Sequence, residues 1–407
     1  MRRVAVGELE PGVVLARAVY SERGELLLNA DAVLTERYID VLRERGFSTV
    51  FVADGDTSDL GIEDIISERV RVTVTAKLCR LYQVMERATA AYRDAPPATV
   101  EQELHAGDFA RAVRDHSAYD ALQQDIEEIV DEVLAADVLK GIRTLRGFDS
   151  YQFIHALDST AVAVMLGRRL HYPPAELKRL AGGCLLHDIG MVLVDRSIQQ
   201  KAGRLNPDEL LVLRRHPQLG YEILRKLRPT EFLANHVAYQ HHERQDGTGY
   251  PRGLHGTNRV YRAAVERSAS VRSGIVLDAE IVAVADVYDG LSSDRPHRTA
   301  YPPDQAVRIM RRLGGSHLNR EVVNQLLAVL PIYPLGSDVV VMTGRYTRYR
   351  GIVSRVHPED LDRPTVRLLF DPERRRIEPV EIDLRQSDEV VASTPLAPTE
   401  VAAAPAR

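Results

Sequence analysis

Leu185-Leu186-His187-Asp188-Ile189-Gly190 sets an adjacent His-Asp pair at the end of an apolar helical stretch, with a glycine just beyond it. An aspartate among apolar residues is costly unless it is paired or bound to a cation. Its two carboxylate oxygens suit a bridge between two cations, while the neighbouring imidazole serves one of them. Two further stretches repeat the theme. In His241-His242-Glu243, followed by Asp246-Gly247-Thr248-Gly249-Tyr250-Pro251, two consecutive imidazoles are expected on a helix. They would diverge there by about 100 degrees and so serve two neighbouring ions rather than one. The glycines and Pro251 predict a tight turn that brings backbone close to a ligand. In Ala283-Val284-Ala285-Asp286-Val287-Tyr288-Asp289, Asp286 interrupts an apolar run and needs a partner, which a metal would supply.

Working outward, residues 145–332 read as helices joined by polar loops marked by Gly and Pro. Of the histidines in this stretch, seven lie between His155 and His242: His155, His171, His187, His216, His236, His241 and His242. Residues 1–58 read as a small α+β unit. Val13–Ala16, Glu25–Leu28 and Thr49–Val52 have strand character, and Leu34, Tyr38, Val41 and Leu42 recur at helical spacing. Residues 59–144 read as a charged helical linker, interrupted at Asp94-Ala95-Pro96-Pro97, where two prolines must end a helix. From Ile126 to Val138 the linker carries Ile126, Ile129, Val130, Val133 and Leu134 on one stripe, as tertiary packing or a homodimer seam requires. Pro331–Gly336 marks a boundary. Beyond it, Val339–Met342, Gly351–Val356 and Val366–Phe370 predict a small β appendage over 333–390. Residues 391–407, rich in Ala, Pro and Thr, are expected to be a disordered tail. The fold class is therefore mainly α.

Composition limits the function. The 407 residues are 44% hydrophobic and 27% charged, the balance of an ordinary globular protein. A net charge of -5 gives no reason to expect binding along a DNA or RNA backbone, although local positive charge for a small anion is compatible with it. Cys79 and Cys184 are the only thiols, so no disulfide framework is expected and a reducing compartment is. No apolar run suits a signal peptide or a membrane span, which points to a cytoplasmic protein with no membrane partner. His242-Glu243-Arg244-Gln245-Asp246 begins like the zinc-protease helix motif but has Asp246 where a second histidine is needed, so that reading fails. Carboxylate with imidazole and no nearby thiol suits Fe, Mn or Zn, and argues against a structural zinc site.

The motifs form an ordered series: Asp149-x-Tyr151-x-x-x-His155, His187-Asp188-Ile189-Gly190, His216-Pro217-x-x-Gly220, His241-His242-Glu243-x-x-Asp246-Gly247-x-Gly249-Tyr250-Pro251, Ala285-Asp286-Val287-Tyr288-Asp289 and Ser293-Asp294-Arg295-Pro296. From about Asp149 to Pro334 the chain resembles the HD-GYP family, a subgroup of the HD-domain phosphohydrolases. The resemblance implies an all-helical catalytic core that cleaves cyclic di-GMP to linear pGpG and often on to GMP. It implies His155, His187, Asp188, His216, His241, His242 and Asp286 as ligands of divalent ions, with Fe or Mn expected. Asp188 would bridge the ions and, with His187, stand at the catalytic centre. Tyr250, Gly249, Arg295 and Arg298 would contact substrate. Some relatives add a third metal through a Glu four residues before the first histidine. Tyr151 stands there, which favours two ions.

The chain departs from the family pattern in three places. Met191 follows His-Asp-Ile-Gly where the family usually has a lysine, thought to reach the substrate phosphate. Losing such a contact would cost about 2 to 4 kcal/mol of transition-state stabilisation, by analogy with an oxyanion-hole donor. His297 replaces the usual Tyr after Arg295-Pro296. A segment of about Thr257 to Arg272 is added, carrying Arg259, Arg262, Arg267 and Arg272, any of which is a candidate to replace the missing lysine. The alternative to a phosphodiesterase is a receptor or protein-interaction module that holds cyclic di-GMP without turning it over.

Overall fold

The structure, a computed structural model, describes residues 2–21, 26–47, 49–53, 55, 59–60, 65–90, 117–136, 151–199, 201, 203–260, 274–293 and 300–393. At the N-terminus β1 (Arg2–Ala5) pairs with β4 (Thr49–Val52), and β2 (Val19–Tyr20) with β3 (Leu26–Leu28), both antiparallel. Helix α1 (Glu36–Glu44) starts where the Thr35 side chain accepts the Tyr38 N–H. Leu15, Leu34, Ile39, Leu42 and Val50 bury one face of each element in a cluster of their own. Val13–Ala16, expected as a strand, contributes only isolated bridges, Val14 to Val33 and Leu15 to Val52. Its place beside β4 is taken by β1, which Arg2 and Arg3 disguise in the sequence.

Next come α2 (Glu68–Thr89), α3 (Ser117–Ala135), α4 (Tyr151–Arg169), α5 (Pro174–Leu185), α6 (Pro207–Leu213) and α7 (His216–Leu227). They are followed by α8 (Phe232–Gln240), α9 (Leu277–Ser292), α10 (Pro303–Leu313) and α11 (Arg320–Leu327). A single buried cluster runs through all of them but α6, from Ile66, Leu78 and Met85 on α2 and its approach, through Ile129 and Val130 on α3, to Leu166, Leu180, Ile223, Val284 and Leu326. The linker helices thus share the core of the helices that follow. Ile126, Ile129, Val130 and Val133 form the expected stripe, and it is spent on this packing rather than left free as a dimer seam. Ion pairs close its edges: Lys77 to Asp125 at 2.7 Å, and Arg71 to the buried Asp158 at 2.7 Å. Among the described residues no helix is long and apolar enough to cross a membrane.

The appendage is a five-stranded antiparallel sheet of β5 (Asp338–Val341), β6 (Arg350–His357), β7 (Asp360–Phe370), β8 (Arg376–Asp383) and β9 (Val391–Ser393), in the order β8-β7-β6-β5-β9. Two of these strands differ from expectation. β8 carries Pro379, which is tolerated because the strand lies at the sheet edge. β9 falls in the stretch expected to be disordered, yet Val341 pairs with Val391 and Val391 is buried. Three residues hold too little pattern to announce a strand. The Arg367 guanidinium grips both oxygens of Asp59 at 2.7 Å, and Leu60 packs with Ile352 and Leu369, fastening the sheet to the chain before α2.

Truncating Ile129 to Ala should cost about 2–5 kcal/mol, the usual range for a fully buried Ile. Because α3 shares the large core, the helical unit should still melt in one transition at a lower temperature by circular dichroism. A separate early transition, with the main one unmoved, would contradict the shared core.

Candidate metal centre

Leu177, Leu180, Ala181 and Leu185 bury one face of α5 and fix where it ends. His187 and Asp188 occupy the turn that follows, before a 3-10 turn over Ile189–Leu193. A Cβ at Gly190 would run into the His216 carbonyl and the Gly220 amide, so only glycine lets this turn lie flat against the start of α7. That contact brings Asp188 to His216. Pro217 opens α7 at no cost, since the first helical N–H groups lack partners anyway. His155 comes from α4 and Asp286 from α9, which pack side by side.

All seven residues expected as ligands meet. His155, His187 and Asp188 form one group able to hold a cation, and Asp188, His216, His241 and His242 form a second. Asp188 belongs to both. Its Oδ1 lies 3.2 Å from His216 Nε2 and 3.6 Å from His241 Nε2, and its Oδ2 lies 3.5 Å from His187 Nε2. Asp286 Oδ1 lies 3.0 Å from His155 Nε2. The expectation that His241 and His242 serve different ions is corrected here: both fall in the second group. Helix α8 ends at Gln240, so the pair sits in a turn, and their ring centroids are 4.1 Å apart rather than splayed by helical geometry.

The outer nitrogens decide what the centre can hold. His187 Nδ1 lies 2.7 Å from the Cys184 carbonyl, His216 Nδ1 2.8 Å from that of Leu213, and His241 Nδ1 2.9 Å from that of Ala238. A carbonyl only accepts, so each Nδ1 carries the proton and each Nε2 turns a lone pair inward. His155 Nδ1 donates to Asp289 at 2.6 Å, with the same result. His216 and His241 then face each other, lone pair to lone pair, at 3.3 Å. The buried His187 Nε2 has no hydrogen-bond partner at all. Lone pairs and two carboxylates converging in one buried space repel each other unless positive charge lies between them. The donor set fits divalent cations.

Electrostatics agree. Burial opposes ionisation of Asp188, yet the imidazoles of His187, His216 and His241 around it hold its carboxyl well below the usual carboxylate range. Burial works against the Asp286 carboxylate too, and His155 overcomes it. Burial pushes His187 down, and burial together with His241 and His216 pushes His242 far below an ordinary imidazole. Neutral imidazoles and ionised carboxylates are the forms that bind metal.

Around the centre, Tyr250 stacks on His242 with ring centroids 4.8 Å apart, and its peptide bond to Pro251 is cis. Gly249 lies where a side chain would strike the backbone of His242, Glu243 and Arg244, which gives that glycine a packing reason. Glu243 binds no cation group. Its carboxylate accepts the Arg252 and Leu254 amides, both at 2.7 Å, and so closes the loop. Met191 sits half-buried in the 3-10 turn. Arg295, Arg298 and His297 lie outside the described residues, as do Arg262, Arg267 and Arg272, while Arg259 is exposed. His171 is exposed, and His236 packs on Phe232 and Tyr221.

Two features went unread in the sequence. Asp289, which orients His155, follows Asp286 by three positions and so shares its helix face, a spacing that could have revealed it. The other is a buried polar network beneath the Tyr250 loop. Glu280 accepts from Gln245 Nε2 at 2.7 Å and Asn319 Nδ2 at 2.9 Å, while Gln245 Oε1 accepts the Asn258 amide at 2.9 Å. These partners lie 13 to 39 residues apart in the chain and no spacing rule connects them.

The HD domain family matches this chain over residues 137–258, a span that holds His155, His187, Asp188, His216, His241 and His242. Over that span the chain carries an HD domain. Among its relatives is a cyclic di-GMP phosphodiesterase of Pseudomonas aeruginosa, 28% identical over 97% of this chain and 92% of that protein. The chain is also 34% identical to the cyclic di-GMP phosphodiesterase response regulator RpfG of Xanthomonas campestris, over 41% of this chain and 40% of that one. It is likewise 34% identical to 3'3'-cGAMP-specific phosphodiesterase 3 of Vibrio cholerae, over 42% of this chain and 33% of that one.

Adding a methyl group at Gly190 should cost about 1–3 kcal/mol by overpacking. It should also reduce the metal retained after dialysis, measured by elemental analysis. Gly7→Ala, where an added Cβ meets nothing within 4 Å, is the control. Equal metal content in both variants would contradict the role given to the Gly190 contact. A second expectation concerns Glu280, which burial pushes up to about 7 despite the two amide donors. Folding then takes up a proton, so Glu280 favours the folded state at low pH, and this contribution is lost as pH rises from the ordinary glutamate range through about 7. The stability of Glu280→Gln relative to wild type should therefore rise by about 3 kcal/mol between about pH 5 and about pH 8. Urea melts at fixed metal load test this, and a flat difference would refute it.

Proposed function

We propose that this chain is an HD-GYP protein, a metal-dependent phosphodiesterase that hydrolyses cyclic di-GMP to linear pGpG, and onward to GMP. The observation that carries the proposal is the sharing of Asp188 between two cation-competent groups of imidazoles, four of the five buried. The names of its relatives support the substrate. We read two divalent ions, Fe or Mn, held by His155, His187 and Asp188 on one side and by Asp188, His216, His241 and His242 on the other, with Asp286 beside His155. Such a pair activates water and neutralises charge on both the attacking and leaving oxygens of an in-line displacement at phosphorus. The chain's own part is to hold this set dry and fixed. Asp289 fixes His155, backbone carbonyls fix His187, His216 and His241, and Glu243 closes the loop that carries Tyr250 over the centre. Tyr250, Gly249, Arg295 and Arg298 are assigned to the substrate.

In this reading residues 1–58 form an input unit and 333–393 a β appendage. The helices of 59–144 belong with the catalytic unit, and the setting is cytoplasmic. A homodimer through these helices would use their outward faces, because the stripe on α3 is already covered.

The receptor reading rests on Met191, which removes a cation without touching the metal centre. A pure receptor has no need of a complete ligand set, and this weighs against it. Anaerobically purified protein should contain about two Fe or Mn per chain and convert cyclic di-GMP to pGpG, followed by chromatography. Asp188→Asn should lower the rate by more than about 100-fold, exceeding the effect of disturbing a residue behind a ligand. Binding without product in a single-turnover experiment with Mn²⁺ or Fe²⁺ would establish the receptor instead. Running 3'3'-cGAMP in parallel tests the substrate, since a metal centre attacks phosphorus without reading the base.

A further inference from the structure

We propose that Arg214 binds the second phosphate of a cyclic dinucleotide, the one that is not at the metal centre. The inference rests on the phosphodiesterase reading above. A cyclic dinucleotide carries two phosphodiesters, each with a negative charge. The centre can hold only one for cleavage, so the other needs a cation elsewhere. Met191 cannot supply it, and Arg295 and Arg298, assigned to the substrate above, lie outside the described residues.

Arg214 is built into the centre's frame. It closes α6, its N–H donating to the Leu210 carbonyl at 2.9 Å. The carbonyl of the preceding residue, Leu213, takes the proton of His216 Nδ1 at 2.8 Å. The backbone that aims a metal-facing imidazole therefore also roots this arginine. Its guanidinium carbon lies 5.2 Å from the centroid of the Tyr250 ring, and that ring stacks on His242 at 4.8 Å. Three planar groups thus lead outward from the metal centre, and the last is a cation.

The guanidinium is exposed and has no carboxylate partner among the described residues. By contrast, Arg71, Arg179, Arg225 and Arg228 each pair with an Asp or Glu. A positive charge at a helix C-terminus is weakly favourable by itself, and that does not require it to lie over Tyr250. Guanidinium can stack on a ring through its face and donate two parallel hydrogen bonds to phosphate through its edge. Lysine can do only part of this.

The test compares cyclic di-GMP with bis(4-nitrophenyl) phosphate, which has one phosphodiester, on metal-loaded wild type, Arg214→Ala and Arg214→Lys. Arg214→Ala should lower kcat/KM for cyclic di-GMP by about 10- to 100-fold, mostly through KM, with metal content unchanged. Its effect on the nitrophenyl ester should be no more than a few-fold, and Arg214→Lys should recover part of the loss. In a Tyr250→Ala background, Arg214→Ala should still cost a comparable factor; disappearance of the effect there would show that Arg214 only braces the ring. Equal losses on both substrates, or none, would also overturn the inference. Wild type that cleaves the ester but not cyclic di-GMP would instead sink the substrate reading on which it rests.

Discussion

Four imidazole lone pairs and two carboxylates turned toward one buried space repel each other, and much of the catalytic region is shaped by the need to hold them there. The outer hydrogen bonds of His155, His187, His216 and His241 go to groups that can only accept, which locks the inward tautomers. No rotation of a single ring relieves the repulsion without breaking one of those bonds. Local packing carries the same constraint. α5 must stop at Leu185, the Gly190 turn must touch α7, and α8 must end before His241. Buried charge of this kind is costly to assemble, and a cation between the groups turns the cost into binding energy that favours the folded state.

How much of this was legible in the sequence follows the range of the interactions. Short-range patterns were readable: the His-Asp pair after an apolar helix, an aspartate inside an apolar run, and the glycines before Pro251. His241 and His242 show the limit. Their adjacency is plain in the sequence, but which ion each would serve depended on where α8 stops, and helix ends are the least certain feature of any pattern. The stripe on α3 was also visible, yet a stripe says only that a face is covered, not by what. Its partners on α2, α4 and α5 come from elsewhere in the chain. β1 and β9 were lost because charged or very short strands lack alternation, and their stability comes from pairing with β4 and β5.

The Tyr250 loop shows a different economy of design. It is held from below by the Gln245 and Asn319 amides donating to Glu280 and by the Asn258 N–H donating to Gln245 Oε1, and from within by Glu243. Networks like this, satisfied throughout, give one geometry rather than several. A loop that must present an aromatic ring over a reactive centre gains from having no alternative resting place. Because its supports come from α9 and from the turn before α11, the loop's position depends on the whole helical unit, not on its own turn residues.

The packing of α2 bears on how the protein can be divided. Tyr82 meets Phe153 edge to face at 5.1 Å, Glu86 holds Arg196 at 2.9 Å, and Met85 is fully enclosed. Anyone producing the HD-GYP portion alone would naturally start the fragment near residue 145. Such a fragment would lack one wall and expose a slab of aliphatic surface to solvent, inviting aggregation. The same geometry ties α2 to the centre mechanically: α2 packs directly on the 3-10 turn that follows His187 and Asp188, so a tug or twist on the helix reaches that turn without an intermediary.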